Sequence, residues 1–283
     1  MLPIQFKSTV LAGIFALIIF PAAVLGATIR DDTPDSDYVA FGNEPAFDSV
    51  GTFTANLTGC GTLIAPDWVL TAAHLILNAS SGTFTLNGTS YSATQIITDP
   101  NWNGNASDGN DFALVHLSSS LTTVSLPTFY TSSTLLGQTA TFVGYGFTGT
   151  GLTGYKTIDG QKRGVQAVVD INESDFGNTT YVFGSTFLSP ANGALPLEGC
   201  VAFGDSGGGV FISDGSQYYL AGVTSFVAAT DGNANSSYGD ISGFDSILPA
   251  LPWITSVVPE PSTIALLAVS ASMLIWQQKR RLR

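Results

Sequence analysis

Cys60-Gly61-Thr62-Leu63-Ile64 is followed, after a short polar break, by Trp68-Val69-Leu70-Thr71-Ala72-Ala73-His74. Both are brief apolar runs, too short for helices, and the second ends in small residues and a histidine. Runs of this kind read as β-strands. Outward from them the pattern repeats. Residues 50–57 precede, and Phe112-Ala113-Leu114-Val115-His116-Leu117 is apolar enough for a strand buried on both faces at one end. Further strand candidates lie at 139–143, 164–169, 209–212 and 218–224, and Asn87-Gly88, Asn103-Gly104 and Asp214-Gly215 are turn signals between runs. A polar stretch at 127–137 joins two halves. Strong helical periodicity is absent inside the domain. The exception is a short terminal helix expected within 246–257 despite Pro249 and Pro252. The class is all-β, a sandwich or barrels.

Of 283 residues, neither end reads as folded core. Residues 1–26 carry one cation, Lys7, then an apolar run from Val10 to Phe20 and small residues around Ala22, Ala23, Gly26 and Ala27. That layout is a secretory signal peptide cut near Gly26 or Ala27. Residues 27–45 read as a polar arm of the mature chain, and 46–256 as the functional domain. Between 27 and 256 stand twenty acids against four cations, Arg30, Lys156, Lys162 and Arg163, a net charge of −16. Nucleic-acid binding needs clustered Lys and Arg, so that class is excluded. Seven Asn-x-Ser/Thr sites read as polar turns.

Three stretches carry chemistry, in the order His, Asp, Ser: Thr71-Ala72-Ala73-His74, Asn110-Asp111-Phe112-Ala113-Leu114 and Gly204-Asp205-Ser206-Gly207-Gly208. A serine hydroxyl is a weak nucleophile at neutral pH and needs a base, and the base needs an orienting carboxylate. His74 would take the proton of Ser206, and Asp111 would fix the imidazole tautomer. The N–H groups of Gly204 and Ser206 would form the oxyanion hole. The other histidine, His116, reads as a partly exposed strand residue. The loop 101–110 faintly resembles a calcium loop but has no series of acids at ligand spacing, so no metal or cofactor is assigned.

The constellation resembles the chymotrypsin/trypsin family of serine peptidases, distinguished by this chain order of its triad. Further likeness runs through 45–256 in order. Asp99-Pro100-Asn101-Trp102 is similar to the loop before the family's aspartate, and Gly144-Tyr145-Gly146 to its Gly-aromatic-Gly turn. Gly222-Val223-Thr224-Ser225-Phe226 is similar to the strand along the substrate backbone, and Leu251-Pro252-Trp253-Ile254 to the terminal helix. The resemblance implies two six-stranded antiparallel barrels, about 46–130 and 131–247, with the site in their cleft. It also implies a serine endopeptidase acting on protein or peptide substrates, as a monomer. A competing reading is a catalytically silent copy used for surface binding or adhesion.

Departures from the family bear on specificity. Leu75 follows His74 where many relatives have a cysteine, and Cys200 lies six residues before Ser206 rather than four. The usual bridges cannot form. A Cys60–Cys200 bond is conceivable, but two unpaired thiols are favoured. Counting back from Ser206 without a gap puts Cys200 at the base of the primary pocket, with Val227 and Gly239 near its walls and Ser225 beneath, for small or medium apolar side chains. A two-residue insertion would instead put Glu198 at the base and favour Lys or Arg. Asp205, buried beside the oxyanion loop, needs a partner. No Ile-Val-Gly-Gly stretch exists, so the expected partner is a new terminus at Ile29 or a side chain among Arg30, Lys162 and Arg163.

The tail, 257–283, is a second recognisable element. Pro259-Glu260-Pro261, an apolar span at 262–276 and Lys279-Arg280-Arg281-Leu282-Arg283 closely resemble the PEP-CTERM sorting signal of Gram-negative bacteria. The span is short of the ~20 residues that cross a bilayer core, which suits transient anchoring. The implied partners are sorting machinery and the inner membrane in passing, and the implied location is the cell envelope or the medium.

Overall fold

A computed structural model describes residues 26–157, 159–177 and 181–258. The leader, the apolar span and the basic terminus lie outside the described residues.

The first half closes into a barrel. Its strands are β2 (Val50–Thr54), β3 (Thr58–Ala65), β4 (Trp68–Thr71), β5 (Thr83–Leu86), β6 (Thr89–Thr98) and β7 (Ala113–Leu117), ordered β2-β3-β4-β7-β6-β5 and back to β2. They are preceded by β1 (Thr28–Ile29) and helix α1 (Asp35–Gly42). Closure removes free sheet edges. Asn87 and Gly88, both at positive φ, turn β5 into β6, as Asn-Gly does in tight hairpins. Alternation along β7 sends Ala113, Val115 and Leu117 into the barrel with Phe53, Leu63, Val69 and Phe84, while Leu114 faces the other half. That is the doubly buried strand expected from its composition.

The second half holds β8 (Thr128–Phe129), β9 (Thr139–Gly144), β10 (Thr148–Thr150), β11 (Gly154–Thr157), β12 (Arg163–Val168), β13 (Val182–Thr186), β14 (Gly199–Cys200), β15 (Gly209–Ser213), β16 (Tyr218–Ala228) and β17 (Ile241–Ser246). Six of them run antiparallel in the order β12-β9-β15-β16-β17-β13, a half-barrel whose ends meet at a bridge from Ile171 to Gly184. β8 pairs with β16, so the second unit begins slightly before the expected boundary. Val165, Ala167, Val210, Ile212 and Phe244 fill it. A third cluster, including Phe47, Leu70, Phe112, Phe211, Val223 and Ile254, joins the halves.

The short C-terminal helix is found with narrower bounds, and the expectation for residues 27–45 changes. The C-terminal helix, α2 (Leu251–Val257), is shorter than 246–257, because Ser246 ends β17 and Leu248–Ala250 forms a 3₁₀ turn. Its Pro252 sits in the first turn, where a missing N–H costs nothing. The arm at 27–45 is not an arm. β1 pairs parallel with β10 and antiparallel with β14, and Ala27, Thr28 and Ile29 are buried. Thr28 Oγ1 donates to the carbonyls of Cys200 (3.2 Å) and Ser236 (2.7 Å). In α1, Tyr38 and Phe41, three apart on one face, turn inward, and Arg163 ties the helix to β12 through Asp35. Four acids in 31–37 masked this segment, since their polarity outweighs two aromatic anchors in any composition count.

Candidate active site

β4 and β7 are neighbours in register, Thr71 opposite Ala113. The turn that follows β4 and the residue that precedes the Phe112–Ala113 step therefore emerge at the same end of the barrel. His74 sits in that turn, Ala73–Leu75. Asp111 follows Asn110, whose φ of 59° is a left-handed conformation that asparagine tolerates well. The Asp111 carboxylate is fully buried and satisfied by three donors. Its Oδ1 accepts the His74 backbone N–H (2.8 Å), and its Oδ2 accepts His74 Nδ1 (2.6 Å) and Ser225 Oγ (2.5 Å). With Nδ1 committed to Asp111, Nε2 is left as the acceptor nitrogen on a ring that keeps some exposure. His116 lies elsewhere, on β7, bonded to Thr94 and packed on Trp68, the structural role expected of it.

Ser206 arrives from the other half on a tight loop between β14 and β15. Its carbonyl accepts the Cys60 N–H (2.7 Å), Gly207 N–H donates to Thr224 O (2.8 Å), and Gly208 N–H donates to Asp205 O (2.9 Å). A side chain at Gly207 would strike Cys60 O, Thr71 Oγ1 and Ala72 N, so the loop lies directly on the strand and turn that lead to His74. Ser206 is half-buried, and among the described residues its hydroxyl makes no hydrogen bond to His74. Gly204 has φ 95°, and neither its N–H nor that of Ser206 donates to any group of the described fold. Two neighbouring backbone donors are thus uncommitted beside the hydroxyl. Cys60 Sγ–H donates to Gly204 O (3.3 Å) and Sγ accepts the Tyr145 N–H (3.3 Å), bracing the loop.

Asp205 is buried, and its partner differs from every expected one. Oδ1 accepts the Gly146 N–H (2.7 Å), while Oδ2 accepts the N–H groups of Ala202 (2.8 Å) and Ala27 (3.0 Å). Burial pushes its carboxyl up to about 6, against the pull of these three amides and the more distant Arg163. Ile29, two residues on, does not reach it, because β1 runs on between β10 and β14. Arg30 is paired with Asp32, Lys162 Nζ donates to Phe47 O, and Arg163 is committed to Asp35 and Asp159. The glycines of Gly144-Tyr145-Gly146 now have a reason. A Cβ on Gly144 would collide with Asp205 Oδ1, and one on Gly146 would lie 2.6 Å from Asp205 N and Cγ.

The residues expected around a specificity pocket divide. Cys200 is fully buried in β14, its sulfur accepting Ser242 Oγ at 3.3 Å, and burial pushes its thiol up to about 12. Val227 is half-buried on β16, and Gly239 adopts φ 94°. Ser225 spends its hydroxyl on Asp111. Glu198 is buried, with its carboxylate taken by the N–H groups of Leu188 (3.3 Å) and Leu195 (2.8 Å). Both cysteines are free and buried, as favoured from the sequence. Sequence reasoning missed Ser242 and Asp245, which lie on β17 with no motif to flag them; only the pairing of β17 with β16 brings them near the site. Among the described residues no helix is long and apolar enough to cross a membrane.

A family model described as Trypsin matches residues 42–254. Chymotrypsin-like elastase family member 1 of Rattus norvegicus is 29% identical over 219 residues, covering 70% of this chain and 77% of that protein. The Canis lupus familiaris protein of the same name is 31% identical over 218 residues, covering 70% and 80%. Inactive CLIP domain-containing serine protease A3 of Aedes aegypti is 26% identical over 227 residues, covering 71% and 46%.

Proposed function

The chain belongs to the trypsin family, and from that premise we propose that it is an exported endopeptidase whose Ser206, His74 and Asp111 form the acylating triad. His74 Nε2 takes the Ser206 proton as the hydroxyl attacks the scissile carbonyl, then returns it to the leaving amine. Asp111 holds the tautomer and stabilises the imidazolium. The uncommitted N–H groups of Gly204 and Ser206 receive the oxyanion, each worth about 3 kcal/mol in the transition state. One observation carries this reading: a buried carboxylate grips both the backbone and Nδ1 of His74, and the serine loop is laid against the same turn.

For the residue before the scissile bond, Cys200 and the Ser242 bonded to it, with Val227 opposite Ser242 on β16, favour small or medium apolar side chains. A basic preference would need Glu198, and its carboxylate is already bonded to two amides. Peptides ending in Ala, Val, Phe or Arg test this by their kcat/KM ratios.

Maturation is part of the proposal. Removal of the leader between Gly26 and Ala27 would turn the Ala27 N–H that already faces Asp205 into an ammonium. The tail would then hold the chain briefly at the inner membrane until a sorting machinery releases it to the envelope or medium of a Gram-negative cell.

A fluorophosphonate probe tests the enzyme reading. Labelling at Ser206, lost in Ser206→Ala, supports it. An unlabelled, folded wild-type protein would instead support the silent binding role, a reading kept because one relative is named inactive.

A further inference from the structure

Behind the His74–Asp111 pair stands a second buried carboxyl, that of Asp245 on β17, 1% exposed. Its Oδ2 accepts the backbone N–H of Asp111 at 2.6 Å, across from the other half of the molecule. Its Oδ1 is buried and has no hydrogen-bond partner among the described residues. On the flanking strands the residues opposite are Val182 of β13 and Val223 of β16, neither titratable. The charged groups that bear on it are Asp111, just ahead of β7, and Asp99, just after β6; among the described residues no Lys, Arg or His is paired with it.

We propose that Asp245 is a positioning residue of the triad: as an uncharged acceptor it pins the main chain at Asp111, and so holds the Asp111 carboxylate on His74. The inference rests on the triad reading above. Two carboxyls this close cannot both be ionised without large cost, and the charge settles where donors are most numerous. Asp111 has three donors, one of them the imidazole; Asp245 has a single amide and a bare oxygen. Burial and the neighbouring acids push the Asp245 carboxyl well above its ordinary range, in the same sense. The pin matters because the chain turns at Asn110, one residue earlier, in a left-handed conformation, and the N–H that follows this turn is held by the Asp245 carboxyl. With Asp111 N–H bonded across to β17, the short loop before β7 is held from both halves, and the cleft geometry depends on their packing.

The test compares Asp245→Asn with Asp245→Ala in the full chain. Asn keeps an uncharged acceptor; Ala removes it. Expected is kcat/KM within about twofold of wild type for Asn, and a loss of about tenfold or more for Ala, carried by kcat rather than KM. The second readout is the titration of the His74 ring by NMR, which does not depend on turnover and is simple in a chain with two histidines. It should be unmoved in Asp245→Asn and displaced to lower pH in Asp245→Ala, because a loosened Asp111 supports the imidazolium less. Should Asp245→Ala not fold, the Asn variant still decides. A His74 titration displaced downward in Asp245→Asn would mean that a negative charge had been removed, and would overturn the proposal. A folded Asp245→Ala with unchanged kcat and unchanged titration would also overturn it. Failure of the triad reading looks different: wild-type protein would then not turn over peptides, while the NMR comparison would still report on the pin.

Discussion

Blocking the charge at a terminus made at Ala27, as the proposed maturation would make it, should separate the effect of the Ala27 ammonium from that of its hydrogen bond. Among the described residues Asp205 receives only amide N–H groups, and its carboxyl stands at about 6 against an ordinary 3.8. The proton affinity is therefore higher in the folded than in the unfolded chain. Folding takes up a proton between those values, so stability is lost as pH rises from about 4 to about 6 and stays lost above. The difference corresponds to about 3 kcal/mol at neutral pH, undiminished by solvent because the group is buried. An ammonium at Ala27 offsets that loss. A chain beginning at Ala27 should melt about 6–12 °C above one beginning at Val24 at pH 7.5, with the gap narrowing toward pH 4. Acetylating Ala27 keeps an N–H but removes the charge, and should reproduce the longer chain. The assay pairs calorimetry across pH 4–8 with kcat/KM on an apolar peptide, since Asp205 sits within the loop that presents Gly204 and Ser206. Coincident melting curves and equal rates for all three forms at pH 7.5 would refute the reasoning.

Other outcomes follow from the same contacts. Ser225→Ala removes a hydroxyl that donates to the buried Asp111 carboxylate, and should lower kcat about tenfold or more with KM little changed, read in steady-state assays. Gly144→Ala places a methyl against Asp205 Oδ1 and should cost about 2–4 kcal/mol in urea unfolding, since the obstructing group is locked by three amides. Arg163→Met keeps the bulk of a buried side chain but removes the ion pair that links α1 to β12. A loss of about 2–3 kcal/mol is expected by denaturant titration, part of which solvation of the half-exposed Asp35 and Asp159 returns. Neither cysteine should react with iodoacetamide at pH 8 while the protein is folded, and both should react after denaturation, as intact mass would show. Their burial raises both thiols, that of Cys200 to about 12, and withholds the thiolate.

Much of the site is local in sequence and so was visible there. His74, Asp111 and Ser206 each lie in a short stretch whose residue types mark it without reference to the rest of the chain, although the reason for a small residue such as Gly207 is tertiary, the close approach of Cys60 O and Thr71 Oγ1. Strand alternation in β7 and the Asn-Gly turn also follow from neighbours along the chain. The partner of Asp205 was misplaced by two residues, because the depth at which β1 enters between β10 and β14 depends on pairings more than a hundred residues distant. Asp245 was invisible for a similar reason: nothing beside it in the chain distinguishes it from any acid at the end of a strand.

What the order of amino acids determined alone was the class of fold and the candidates for the reacting groups, since period-two burial and the chemistry of a hydroxyl, an imidazole and a carboxylate are properties of short segments. Tertiary structure alone decided which backbone amide meets Asp205, where the Glu198 carboxylate is spent and which second acid backs Asp111. The Asp111–Asp245 bond joins the two halves and the Ala27–Asp205 bond spans 178 residues, while Glu198 is bonded to amides of its own loop; in each case folding, not residue type, selects the donor for a buried acceptor, and that selection has no signature in sequence spacing.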